Sequence, residues 1–199
     1  MLTIHVCEAS PETAVVADGA QLAAVGPYEA LAADHPRARV RRWPGILTPG
    51  LLNPYGPELL EQAYHPDPRE ADRLGTEPIF GKRALALLGA DASARGASAR
   101  RGVQRMLAHG TVAVAGELRS RAALDAVRGA GLAVAARPPT LPGPASFSPV
   151  PLVLLPALAP GKPARFAVFD VPDRAGLVRE GASTCVATVV GGRLVYRGR

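Results

Sequence analysis

The chain has 199 residues, with 23 Lys and Arg against 17 Asp and Glu and a net charge of +6. At 48% hydrophobic and 20% charged residues it is too apolar to be disordered, and its two cysteines make no disulfide framework. The length suits one domain, or one with a small appendage, and falls short of the roughly 250 residues of an ordinary (β/α)8 barrel.

Residues 2–7 alternate apolar and polar side chains, as a half-buried strand does. Residues 14–17 predict a second strand and Asp18-Gly19 a tight turn into a third over 21–25, a β-hairpin ended by Gly26-Pro27. A short helix is expected over 28–33, broken at Asp34-His35-Pro36, and residues 37–43 alternate again as a strand. The apolar run 46–52 is split by Pro49-Gly50. Residues 54–78, rich in Pro and charge, predict an irregular loop with a short helix near 58–64.

Helices follow over 82–88 and 97–109, the second with Val103, Met106 and Leu107 on one face and a C-terminal signal at Gly110. Residues 111–115 read as a buried strand, 120–128 as an amphipathic helix with Leu124 and Val127 inward, and 132–136 as another buried strand. Helix, strand, helix, strand with short joints predicts parallel βα units. Residues 137–149 carry five prolines and form a linker. Strands return at 152–155, 164–169, 184–190 and 193–196, the last two joined by Gly191-Gly192. The two β-rich ends are expected to share a layer, because each alone has too few strands to bury a face.

The basic balance does not by itself indicate nucleic acid. Arginines 37, 39, 41 and 42 are the densest cluster, and arginines 100, 101 and 105 a second, but aromatic residues are only 5% and no reading helix accompanies them. No nucleic-acid partner is expected. Glu8 and Glu12 interrupt the first residues, and the longest apolar stretch, 150–159, contains Pro151 and Pro156. It is about half a membrane span. The expectation is a cytoplasmic protein without membrane contact.

Four stretches occur in a telling order. They are the hairpin Asp18-Gly19 to Gly26-Pro27, the strand Ile46-Leu47-Thr48-Pro49-Gly50-Leu51-Leu52-Asn53, the run Pro160-Gly161-Lys162-Pro163-Ala164 to Asp170, and the closing Thr188-Val189-Val190-Gly191-Gly192-Arg193-Leu194-Val195-Tyr196-Arg197. Together they resemble the amidohydrolase superfamily, and most of all its imidazolonepropionase-like and aminodeoxyfutalosine-deaminase-like members. The resemblance covers residues 1–53 and 160–199 well, and Gly110-Thr111-Val112 resembles one early βα portion. It implies an α+β fold, with a composite β-sandwich from residues 1–52 and 150–199 beside a reduced, partial-barrel-like α/β insert over 53–149.

The departures decide the functional expectation. In that family the strand at Asn53 continues into two histidines that bind a catalytic zinc or iron. Here Tyr55 and Pro57 stand in their places. Proline offers no lone pair, and a neutral phenol is a poor ligand. The four histidines are His5, His35, His65 and His109, so none follows to supply later family ligands. Fewer than 100 residues separate Asn53 from Pro149, too few to close a barrel. No metal is therefore expected, and with no metal-activated water no family hydrolysis by this chain alone.

Other chemistries are less well supported. His65 and Asp67 lie near Glu58 and Glu61 in sequence, but a solvated loop with a turn at His65-Pro66 explains them. His109 suits a helix C-terminus. Cys185, in a predicted strand, reads as a small buried residue. Ser146 and Ser148 have no nucleophile elbow, and no glycine pattern matches a phosphate loop.

The expected function is a non-catalytic accessory or binding protein. One alternative is a hydrolase of non-peptide C–N bonds, acting on a cyclic amidine, amide or aminopurine nucleoside, with its site completed by a partner. The other is a small-molecule binder using Asn53, Tyr55, Glu58, Glu117 and Arg119, where α/β sheets place ligand contacts. A remnant sheet with open edges predicts a homodimer or a complex with a metabolic enzyme.

Overall fold

The computed structural model of the chain describes residues 2–89, 91–141 and 143–198. In chain order its strands are β1 (Leu2–Cys7), β2 (Ala14–Asp18), β3 (Gln21–Gly26), β4 (Arg39–Trp43), β5 (Ile46–Thr48), β6 (Leu51–Asn53), β7 (Thr111–Ala115), β8 (Ala133–Ala135), β9 (Phe166–Phe169), β10 (Cys185–Val190) and β11 (Arg193–Arg197). Its helices are α1 (Tyr28–Asp34), α2 (Gly56–Leu60), α3 (Ala71–Leu74), α4 (Gly81–Leu88), α5 (Ala92–Ala108), α6 (Arg121–Gly129) and α7 (Arg174–Glu180).

The strands form three sheets, ordered β3-β2-β1-β4, β11-β10-β9-β5 and β6-β7-β8. The fold is mixed α+β, and among the described residues no sheet closes into a barrel. The first sheet uses only early strands. The second joins β5 to three late ones, so the β-rich ends build two layers where the sequence suggests one. Each reaches four strands, and the two bury their facing sides together.

The alternation of side chains sorts these layers. Cys7, Val15, Ala17, Leu22 and Trp43 of the first sheet share one buried cluster with Leu47, Phe166, Val168, Ala187 and Val189 of the second. On the far side of the first sheet, Ile4, Val6, Ala14 and Val16 pack on Leu31 of α1. On the far side of the second, Ala167, Phe169 and Cys185 pack on Leu51, Val171 and Leu177. The middle sheet is thus covered on both faces, and β9 is apolar at every position for that reason.

Pro49-Gly50 carries the chain out of the middle sheet. Beyond it β6, β7 and β8 run parallel, as the alternating elements predict. Residues of α2, α5 and α6 bury Leu59, Val103, Met106, Leu107, Ala123 and Val127 against Val112 and Val114 of β7. No described helix is long and apolar enough to cross a membrane.

Three expectations need correction. The stretch 152–155 is not a strand; it makes one bridge, Leu51 to Leu154, and two backbone bonds, from Leu52 N to the Val153 carbonyl and from Leu155 N to the Gly50 carbonyl. Pro151 and Pro156 bracket it and donate nothing. The strand at 132–136 is not buried: β8 is a sheet edge, and Val134 is 54% exposed. The long helix begins at Ala92, five residues before the expected start at 97, because the Asp91 carboxylate caps it at Ser93 N. Helix α7 follows the same rule, with Asp173 capping at Gly176 N.

Two turn signatures explain one another. Gly192 sits at φ +70°, and a Cβ there would lie 1.7 Å from the Gly19 carbonyl oxygen, while its N–H donates to the Ala164 carbonyl. The β2–β3 and β10–β11 turns therefore dock backbone on backbone. Gly192→Ala combines a left-handed residue, about 1–2 kcal/mol, with a clash that rigid backbone cannot relieve. Equilibrium denaturation is expected to show a loss of about 2–3 kcal/mol; a wild-type midpoint would remove this account of the turn.

Candidate functional site

The parallel sheet ends at Asn53, Ala115 and Ala135. Open α/β sheets form their ligand crevices beyond such carboxyl ends. A cavity of about 670 Å³ lies there, lined by residues of α2, of the turn after β7 and of the end of β8.

Its walls are built from paired charges. Arg137 Nη1 and Nη2 donate to Glu58 Oε1 and Oε2 at 2.9 and 2.7 Å, a two-pronged pair joining the β8 exit to α2. Arg119 Nη2 donates to Glu117 at 3.2 Å. Glu61 Oε1 accepts from the backbone N–H groups of Arg119 and Ser120 at 2.7 and 2.6 Å. That carboxylate occupies the N-terminus of α6, where unpaired N–H groups and the helix dipole attract an anion. Gly116 makes the close approach possible. It sits at φ +104°, and a Cβ there would lie 2.7 Å from Pro57 Cδ and 2.9 Å from Arg137 Nη2.

The five residues selected from the sequence divide into two groups. Glu58, Glu117 and Arg119 line the cavity. Asn53 and Tyr55 are buried beside it and engage the chain itself. Asn53 Nδ2 donates to the Ser146 carbonyl at 2.9 Å, and its Oδ1 accepts from Tyr55 N. The Tyr55 hydroxyl donates to the Gly143 carbonyl at 2.6 Å. Burial, then the nearby Glu58 carboxylate, pushes this phenol above its ordinary range, with Arg137 opposing. The proline-rich segment thus lies across the end of β6 and is fastened there by side chains that the sequence offers as ligand contacts.

Sequence reasoning missed Arg137 and Gln62, and weighed Glu61 only beside His65 and Asp67 in a loop. Arg137 is 79 residues from its partner Glu58 and sits in a stretch that reads as linker. Glu61 belongs to an apparently irregular loop, and only the fold places it against α6.

The remaining reactive groups have structural roles. His65 is fully buried; its Nε2 bonds the Leu59 carbonyl at 2.7 Å and its ring lies edge-on to Phe147. Burial drives its pKa down to about 4, with the Leu59 bond opposing and Arg105 and Arg101 assisting. Asp67 faces Arg101 at 3.4 Å. His109 Nδ1 donates to the Arg105 carbonyl at 2.8 Å, the helix-terminal contact its position suggests. Cys7 and Cys185 are buried, and desolvation above all raises their thiols to about 12 and about 11, leaving them unreactive.

No family model matches the chain, and no curated protein sequence is similar to it. Among solved structures it is similar to the ochratoxinase of A. niger, at 18% identity and TM-score 0.42, over 67% of this chain and 30% of that one. It is similar to an adenosine deaminase from Xanthomonas campestris with bound zinc, at 15% identity and TM-score 0.41, over 66% and 32%. The guanine deaminase of Bradyrhizobium japonicum aligns at 19% identity and TM-score 0.35, over 61% and 27%. The chain spans about a third or less of the length of these proteins.

Proposed function

We propose that this chain is a reduced relative of the amidohydrolase superfamily that binds a small polar molecule or serves a partner enzyme and performs no hydrolysis by itself. The four motif segments support the kinship. The shared core of the first two sheets supports a composite β-domain from residues 1–52 and 150–199. The cavity beyond β6–β8 is the binding site in this reading.

One observation carries it. The position of the family's first metal-binding imidazole holds Tyr55, whose hydroxyl donates to Gly143 at 2.6 Å, and the position of the second holds Pro57, inside the first turn of α2. A phenol raised by burial and already donating does not fit zinc or iron, and a proline at the first turn of a helix serves the helix. Nor do other side chains fit: among the described residues no group of three His, Cys, Asp or Glu is arranged to hold a metal.

The cavity's charges favour a neutral ligand. Glu58, Glu61, Glu117, Arg119 and Arg137 all have internal partners, so an incoming ion would have to break a pair. A ring amide or amidine that hydrogen-bonds without full charge suits them better. The exposed β8 edge supports a partner, either a second copy or a metabolic enzyme.

The test has two arms. Protein incubated with excess zinc or iron and then dialysed is expected to hold far less than one ion per chain; near-stoichiometric metal beside Tyr55 would overturn the non-catalytic reading. A thermal-shift series with purine nucleosides and imidazolones is expected to show a saturable rise in Tm, lost in Arg137→Ala. No rise with any of them removes the binding role.

A further inference from the structure

The arginine cluster of the sequence finds company only in the fold. β4 is one edge strand of the first sheet and β11 one edge strand of the second. Along β4, Arg39, Arg41 and Trp43 share a face by the two-residue period of a strand, and Trp43 belongs to the core between the sheets. Arg39 and Arg41 therefore extend that row past the apolar core, with Arg41 in register beside His5. Leu194 and Arg197 of β11 stand opposite, and with Arg42 and Trp43 they enclose a groove of about 200 Å³.

No carboxylate lines this groove. Among the described residues none of the four arginines forms an ion pair. Arg42 is fixed by Tyr28, donating to its hydroxyl at 3.1 Å with the guanidinium 4.8 Å from the ring centre. Glu8 and Glu29 line a neighbouring hollow that Arg42 also borders, without pairing with it. Charge on one edge strand is a common guard against unwanted pairing. That explains arginines on β4; it does not explain a cation brought to the same groove from the other sheet.

We infer that this groove binds a compact phosphate-type oxyanion, of which inorganic pyrophosphate is the simplest probe. Guanidinium forks match the oxygen geometry of phosphate, and the N–H groups of a free strand edge add donors. The volume lies below the roughly 300–1,000 Å³ of organic-ligand pockets, which suits an ion. Trp43 is only 7% exposed, so it gives no face for a base to stack on, and this argues against a nucleic-acid track. The site is separate from the cavity beyond β6–β8 and stands whether or not that cavity binds a ligand.

Isothermal titration of the full chain with pyrophosphate is expected to give one saturable site that weakens as salt rises. Arg41→Ala and Arg197→Ala should each weaken it about tenfold or more, the effect of one lost charge-assisted hydrogen bond. Arg121→Ala, on an exposed arginine beside Asp125, should leave it unchanged. Arg197 is exposed, so its variant keeps the test decisive if Arg41→Ala does not fold. No saturable site, equal weakening by all three variants, or a preference for single-stranded oligonucleotide over pyrophosphate overturns the inference.

Discussion

Acidification from pH 6.5 to 4 is expected to destabilise the folded protein by about 3 kcal/mol for each of two buried histidines, His5 and His65. Burial is the main cause that lowers both from 6.5 to about 4, assisted at His5 by Arg41. Over that window the unfolded chain takes up protons that the folded one refuses, so stability is complete above pH 6.5, falls as pH drops, and stops falling below about 4. The geometry gives the reason. His5 Nδ1 accepts from Trp43 Nε1 at 3.2 Å, with Phe166 edge-on at 4.9 Å, and an imidazolium would lose the indole bond inside an apolar layer.

Urea midpoints between about pH 7 and 4.5 check this, and His5→Phe is expected to remove about half of the slope. That variant also leaves the Trp43 N–H unpaired, so its stability at neutral pH falls by about 1–3 kcal/mol. Glu70 adds a separate, lower window: the Tyr64 hydroxyl and Asp67 N–H hold its carboxyl below 4.5. A midpoint that stays flat from pH 7 to 4.5 would mean that neither ring is held neutral by the core.

Phe166→Ala should cost about 3–5 kcal/mol, as large aromatic truncations in packed cores do. Phe166 is fully buried on the inner face of β9, between the two four-stranded sheets. β9 is hydrogen-bonded on both sides, to β5 and β10, and covered on both faces, so nothing can collapse into the space left. Total stability for such a domain is about 5–15 kcal/mol, and a large part of it rests on this one ring. Val178→Ala, on a side chain 72% exposed, serves as control with a change of about 0.5 kcal/mol or less. Equal losses in the two variants would show that the inter-sheet layer is not the core.

Local periodicity carried most of the elements. The alternation in 2–7, the Asp18-Gly19 turn and the apolar face of 97–109 correspond to β1, the β2–β3 hairpin and α5. These signals are short-range, set by backbone geometry within a few residues. The misreadings were also physical. Residues 152–155 are apolar enough for a strand, but their flanking prolines prevent a ladder. Residues 132–136 carry the composition of a central strand, yet Val134 is exposed because no further strand pairs with β8. Helix α7 went unread because its seven residues bury only Gly176 and Leu177.

The candidate site was legible in part. Glu58, Glu117 and Arg119 follow strands or open helices, and position alone brought them to the cavity. What Tyr55 and Asn53 do could not be read, since their partners Gly143 and Ser146 lie 88 and 93 residues away. The same holds for Arg137 with Glu58 and for Arg197 with Arg39 and Arg41.

By itself the sequence determined most of the strands and the apolar side of those that alternate, β1 and the β2–β3 hairpin among them. Only the tertiary structure decided that the proline-rich segment fastens over Tyr55, that Arg137 closes on Glu58, and that two free strand edges face one another with arginines. Strand periodicity and ligand chemistry belong to single residues and their neighbours. A hydrogen bond or shared groove between residues tens of positions apart depends on how the layers stack, and that is fixed by the burial of all the apolar faces at once.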